Sequence, residues 1–319
     1  MSTDTPVRHQ YAGHAAEPVS YELPATPRNR HGTATESTPD PYRIATESPR
    51  IIEDGEARPM LLAVDVGNTH TVLGLFAGTR LVEHWRVSTE DRRTADELAV
   101  LVAGLLAGHT GEEGVTGVAV CSTVPTVLHE LREMVARYYG EVPSVIVEPG
   151  VRTGVPVLMD NPREVGADRI VNALAVYEQF GTAAIVVDFG TATTFDVVSE
   201  RGEYVGGAIS PGIEISLEAL GRRGAQLRRV ELLRPRTVIA KNTVEALQSG
   251  AVYGFAGQVD GLVTRMIDEL GLDPEAVTVV ATGGLAPVVV EQCHTVNAHE
   301  PWLTLHGLRL VFDRNQPAG

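Results

Sequence analysis

Lysine is almost absent from this chain: Lys241 is the only one among 26 basic residues, and arginine supplies the rest. That scarcity excludes two common ways of holding a nucleotide. A P-loop needs Lys inside Gly-x-x-x-x-Gly-Lys-Ser/Thr, and a protein kinase needs a strand lysine. Lys241 lies in IAKNTVEA, which is neither. Cysteine is also sparse. Cys121 and Cys293 show no C-x-x-C or ligand spacing, which excludes a disulfide framework and points to a reduced, cytoplasmic location. Cys121 ends the apolar run VTGVAVC and is expected as a buried thiol; His294 and His299 near Cys293 are too few for a metal site. No apolar run approaches the ~18 residues of a membrane span. Positive charge is in deficit, with a net charge of −15. An acidic surface argues against nucleic-acid and anionic-membrane partners, yet is compatible with a local cationic pocket for a small acid.

What remains is an ordinary globular composition, 43% hydrophobic and 21% charged, with mean hydropathy +0.01. The first 59 residues differ. They hold eight of the 19 prolines and six arginines against nine acidic residues, and no period of 2 or 3.6 runs through them. Such a segment cannot offset its ordering entropy, so a disordered extension is expected over 1–59. It has neither the apolar core of a secretory signal nor the acid-poor composition of a transit peptide. Met60 precedes the first strand and is a plausible start of the folded protein or of translation. The rest is long enough for two domains, expected over 60–180 and 181–319.

One short pattern occurs twice. Residues 61–76 read LLAVDVGNTHTVLGLF and residues 184–198 read AIVVDFGTATTFDVV. Asp65, Gly67 and Thr71 align with Asp188, Gly190 and Thr194 at one offset (188 − 65 = 123). Each copy is an apolar β-rich run, an Asp, a Gly two residues later, hydroxyl or amide residues, then a second apolar run. That predicts two β-hairpins of one design. Glycine lets a ligand approach the backbone, and the Asn/Thr turn supplies donors for phosphate oxygens. A carboxylate at the strand end does not favour an anion, so it suits a cation that travels with one. Two such hairpins facing each other form a phosphate clamp. One copy alone reads equally well as ordinary hairpin chemistry.

Each copy is followed by a third strand (80–87 and 204–209) and then by alternating helices and strands. Helices are expected over 94–107, 126–139, 163–180, 212–220, 243–270 and 301–311, and further strands over 117–121, 144–147 and 277–281. The alternation predicts α/β layers, and the repeated order predicts two related domains around a central cleft. By analogy this is the actin-like ATPase and sugar-kinase architecture.

A second motif, 161–169 (NPREVGADR), places Pro162 before a helix start, with Asp168 and Arg169 early in that helix. Locally, a first-turn acid and an exposed arginine need only the helix dipole as explanation. The sharper alternative is a carboxylate that accepts a hydroxyl proton beside a guanidinium that holds an acid. GGAISPGI (206–213) reads as a glycine-bounded strand-to-helix turn, and Asn242-Thr243 as a helix cap. The Gly-Gly of ATGGLAP (281–287) permits close approach to a flat ring such as adenine.

From Met60 to about Asn315, the ordered set DVGNTHT, NPREVGADRIVNA, VDFGTATTFD, GGAISPGI, KNTVEALQSG and ATGGLAP closely resembles the type III pantothenate kinases. These belong to the acetate and sugar kinase/Hsp70/actin superfamily. The resemblance implies duplicated actin-like (ribonuclease H-like) domains and phosphorylation of pantothenate to 4′-phosphopantothenate, the first step of coenzyme A biosynthesis. It implies that Asp65, Val66, Gly67, Asn68, Thr69, His70, Thr71 and Val72 bind the phosphates of ATP carrying Mg²⁺, and that Thr191 also touches the nucleotide. It makes Asp168 the proton acceptor, lines the pantothenate site with Gly166, Ala167, Asp168, Arg169 and Thr243, and gives Asp188 a monovalent cation, potassium or ammonium. A homodimer is also implied. One departure is Met159, which stands where many members place a substrate-contacting Tyr. Two alternatives share the scaffold: a kinase for another small hydroxy acid, and a non-catalytic regulator.

Overall fold

In the computed structural model, residues 59–111, 114–223 and 230–317 are described. The expected extension over 1–59 lies outside them except for Pro59. The chain order is β1 (Met60–Val66), β2 (His70–Ala77), β3 (Arg80–Ser88), α1 (Ala95–Leu106), β4 (Gly117–Ser122), α2 (Pro125–Tyr138), β5 (Ser144–Ile146) and α3 (Ala167–Phe180). Then come β6 (Ala183–Phe189), β7 (Ala192–Val198), β8 (Tyr204–Pro211), α4 (Ile213–Arg223), α5 (Thr243–Leu270), β9 (Val277–Thr282), α6 (Ala286–Val289), β10 (Ala298–His299) and α7 (Leu303–Asn315).

The strands form two five-stranded sheets, β3-β2-β1-β4-β5 and β8-β7-β6-β9-β10. In both, the first three strands pair antiparallel and the rest are parallel to the central strand. The repeat legible in the sequence is therefore a repeat of topology, and it is that of the duplicated actin-like α/β fold. The register departs from the simple offset. Asp65 pairs with Val72, whereas Asp188 pairs with Thr194, because the first hairpin turn is one residue longer. Thr194 corresponds spatially to Val72 rather than to Thr71.

Period-2 alternation sorts the side chains into layers. Leu62, Val64 and Val66 of β1 pack with α1 and α2, while Leu61 and Ala63 pack with Val171 and Leu174 of α3 and Leu305, Leu308 and Val311 of α7. In the second sheet, Ile185 and Val187 face α5 and α6, while Ala184 and Val186 face Ala173 and Val176 of α3. Helices α3 and α7 thus lie between the sheets, and the C-terminal helix returns to the core of the first one. Gly307 lets α7 come this close, since a Cβ there would strike the Val171 carbonyl. Truncating a fully buried side chain in this layer, such as Leu174, costs about 2–5 kcal/mol.

The helix ends follow local chemistry. Thr94 and Glu97 form a capping box on α1, Asn242 caps α5 through the Glu245 N–H, and α3 and α5 stop at left-handed Gly181 and Gly271. The expected helix over 163–180 is split. Pro162–Glu164 form a 3₁₀ turn, Val165 is extended, and α3 begins at Ala167 behind Gly166.

Candidate active site

The alternation that builds the layers also aims the site. Asp65 shares the inner face of β1 with Leu61 and Ala63, and Asp188 shares that of β6 with Ala184 and Val186. Each sits near the C-terminal end of its sheet's central strand. Helix α3 lies between those inner faces and presents Asp168 in its first turn. Three carboxylates from distant parts of the chain thereby fall within one another's field.

The two hairpins meet as expected: the Thr69 and Thr191 hydroxyls are 2.9 Å apart. Gly67 N–H donates to the His70 carbonyl (3.0 Å), closing the first turn, and Gly190 N–H donates to Ala192 (3.0 Å), closing the shorter second one. Thr89, just beyond β3, braces the first turn. Its hydroxyl donates to the Gly67 carbonyl (2.8 Å) and lies 2.9 Å from the Thr71 hydroxyl, while its N–H donates to Thr69 (2.9 Å). Gly212 N–H donates to the Thr191 carbonyl at 3.2 Å, and a side chain there would collide with that carbonyl, so the 206–213 turn packs on the second hairpin. Gly283, with φ +89°, brings the loop after β9 onto Asp188 and the Phe189 backbone. His70 is exposed at the start of β2, and burial followed by the Arg86 charge lowers its pKa, so it is neutral at physiological pH.

In the GADR segment the simple local reading fails. Arg169 is not an exposed surface residue; its side chain is 13% accessible and its Nε donates to Asp196 Oδ1 at 2.5 Å. Asp196 is fully buried and also accepts from the Tyr204 hydroxyl (2.9 Å) and the Thr194 hydroxyl (3.1 Å). The Arg169 guanidinium also stacks 5.6 Å from the centre of the Tyr204 ring. A buried ion pair is worth keeping only when its remaining donors and acceptors are satisfied, and this one comes with two hydroxyl donors. Asp168 is treated differently: its Oδ1 is buried with no hydrogen-bond partner among the described residues.

These placements set the protonation. Burial, then the Asp168 charge, pushes Asp65 up to about 7, against a hydrogen bond from the Cys121 thiol (3.2 Å) and the field of Arg86. Asp188 is pushed up to about 8 by burial, then by Asp168, Asp65 and Asp196. Asp168 is raised mainly by burial, against the Arg169 N–H at the start of α3. Three carboxyls that resist ionisation beside one another form a receptor for positive charge. Among the described residues no three His, Cys, Asp or Glu side chains gather closely enough to cage a metal by themselves. The arrangement therefore fits a cation that brings most of its own ligands, as Mg²⁺ does with phosphates and water.

The model of the type III pantothenate kinase family matches residues 61–265. The chain belongs to that family. It is 70% identical over 261 residues to the type III pantothenate kinase of Streptomyces avermitilis, covering 80% of this chain and 98% of that one. It is 66% identical over 257 residues to the type III pantothenate kinase of Thermobifida fusca, covering 80% and 100%. In fold it is similar to the crystal structure of the ethanolamine utilization protein EutJ from Carboxydothermus hydrogenoformans. That likeness has a TM-score of 0.50 at 16% identity and covers 81% of this chain and 92% of that one.

As a kinase of this family, the chain brings a nucleoside triphosphate and an acceptor hydroxyl together. The sequence-based site residues 65–72, 188, 191 and 166–169 lie on the two hairpins and the start of α3. Thr243 does not join them: it is exposed at the start of α5, with no hydrogen bond or ion pair to residues 166–169. Met159 is partly buried against the apolar cluster that includes Tyr204, Val165 and Ala173. Three residues escaped the sequence reading, Arg86, Thr89 and Asp196, and Cys121 is the buried thiol expected, with a contact to Asp65 that was not. Asp196 alone left a usable trace, since a charge inside the apolar run TTFDVV must be paired once buried.

Proposed function

We propose that this kinase transfers the γ-phosphoryl group of ATP to the terminal hydroxyl of pantothenate, giving 4′-phosphopantothenate and opening coenzyme A synthesis. The observation that carries the reading is the unpartnered, buried Asp168 Oδ1 at the start of α3, whose charge is felt by Asp65 and Asp188 of the two hairpins. Its raised pKa makes it a better proton acceptor than an ordinary aspartate. Asp168 takes the hydroxyl proton as the oxygen attacks phosphorus. Arg169, oriented by Asp196 and Tyr204, holds the carboxylate of the acceptor, together with Gly166 and Ala167. The 65–72 hairpin and Thr191 orient the phosphates through backbone N–H and hydroxyl groups, so that binding supplies the alignment that phosphoryl transfer mainly requires. Asp65 would hold a Mg²⁺ that accompanies ATP and Asp188 a potassium or ammonium ion, and both would supply charge neutralisation to the phosphates.

The lobes 60–180 and 181–319 are our division of the chain, with α7 crossing back to the first sheet. We infer a homodimer. Ile209, Ile215, Leu220, Val238, Ile239 and Val244 are exposed apolar side chains on β8, α4 and the approach to α5, an apolar surface suited to a second copy. That copy would bring Thr243 to the acceptor site. We place the enzyme in the cytoplasm; no helix among the described residues is long and apolar enough to cross a membrane. Coupled ADP release with Mg-ATP, with and without pantothenate, in potassium and then sodium buffer, tests the whole reading. Pantothenate-dependent turnover that requires potassium is expected. Folded dimer without pantothenate-dependent turnover would overturn the substrate assignment.

A further inference from the structure

The near-absence of lysine leaves open which protein cation meets the phosphates. Arg169 is paired with Asp196 (2.5 Å) and assigned to the acceptor carboxylate, and Lys241 is exposed at the approach to α5. Arg86 stands apart from these. It projects from β3, opposite Val72 of the first hairpin. Its guanidinium lies over Gly284, in the loop after β9 of the other sheet, so closely that a Cβ on Gly284 would fall onto it. Arg86 therefore spans from one sheet to the other where the two hairpins meet. Its side chain makes no hydrogen bond or ion pair with any described residue, although its charge is felt by Asp65, Asp188 and His70.

A solvated arginine normally settles on a carboxylate or a carbonyl. Here two carboxylates are near and neither is contacted, which leaves the planar fork of N–H donors unengaged where it lies over Gly284. We propose that Arg86 is a catalytic residue that contacts the β- or γ-phosphate oxygens of the nucleotide, supplying the fixed positive charge that lysine gives in P-loop enzymes. Gly284 is glycine so that this guanidinium can lie across the loop.

The inference rests on the phosphoryl-transfer reading, and its test is separable from the choice of acceptor. Binding of ATP, ADP and adenosine to full-length wild type, Arg86→Gln and Arg86→Lys is measured by calorimetry, with kcat and KM for both substrates. Loss of charge-assisted hydrogen bonds to phosphate is expected to weaken ATP and ADP binding roughly 10–100-fold in Arg86→Gln, with kcat/KM for ATP falling at least as far. Adenosine affinity and the KM for the acceptor should stay within about twofold, and Arg86→Lys should recover part of the loss. ATP affinity and kcat within about threefold of wild type overturn the proposal. So does an equal loss for adenosine, which would make Arg86 a wall of the base site or a structural latch. Should the Gln variant not fold, Arg86→Lys carries the same comparison: it must favour adenosine over ATP relative to wild type, or the proposal fails. A wild type that binds ATP but ignores pantothenate sinks the acceptor assignment and leaves this test intact.

Discussion

Replacing Asp168 by Asn keeps the size of the side chain and removes both its basicity and its charge, and the geometry assigns opposite signs to the two consequences. For catalysis, an amide cannot accept the hydroxyl proton. General-base assistance is typically worth ~10²–10⁴-fold, so kcat should fall by that factor, about 2.7–5.4 kcal/mol of barrier. ATP binding should change little, because Asp168 sits on α3 rather than on either hairpin. For stability, Asp168 is the largest single charge opposing ionisation of both Asp65 and Asp188. Relief of about one pKa unit at Asp65 is worth ~1 kcal/mol near pH 7.5, and less at Asp188, which is still largely protonated there. In a folded region of this size that corresponds to roughly 2–4 °C in Tm. The nucleotide-free variant should therefore be less active and more stable. Steady-state kinetics with saturating Mg-ATP, and calorimetric melting without nucleotide, measure the two effects independently. Turnover within a few-fold of wild type would remove Asp168 from its role, and a lower Tm would refute the electrostatic account of the cluster.

Two further outcomes follow from the same carboxylates. Asp65 and Asp188 hold protons in the folded state up to about 7 and about 8, while unfolded aspartates release theirs near 3.9. The folded state thus binds more protons across that window, and this contribution to stability is lost as pH rises from about 4 to about 8. Asp188→Asn should consequently melt higher than wild type by a margin that grows from pH 5 to pH 8. A constant margin across that range would contradict the assignment. Cys121→Val removes the thiol that donates to Asp65 and holds its pKa down, so the acidic limb of the kcat/KM profile should move to higher pH, whereas Cys121→Ser should restore it. Coincident profiles for wild type and Cys121→Val would show that the contact has no bearing on Asp65.

Much of this protein was legible before any coordinates. The doubled Asp-x-Gly pattern specified two hairpins, each with a carboxylate at the end of its first strand. Pro162 marked the approach to a helix with Asp168 early in it, although the helix starts at Ala167 rather than at 163. The absence of lysine excluded a P-loop. Tertiary structure decided what periodicity cannot carry. The first turn is one residue longer than the second, so Thr71 and Thr194 are aligned in sequence yet not in space. Arg169 looks like a surface residue locally, but Asp196, 27 positions later, draws it into the core. Arg86 reaches Gly284 from the other sheet, and Cys121 reaches Asp65 only because β4 runs parallel to β1 in a register that sets them side by side. Sequence determines local geometry, because that depends on neighbours along the chain. Which charges meet, and therefore which protons stay on, depends on how the two sheets close around α3.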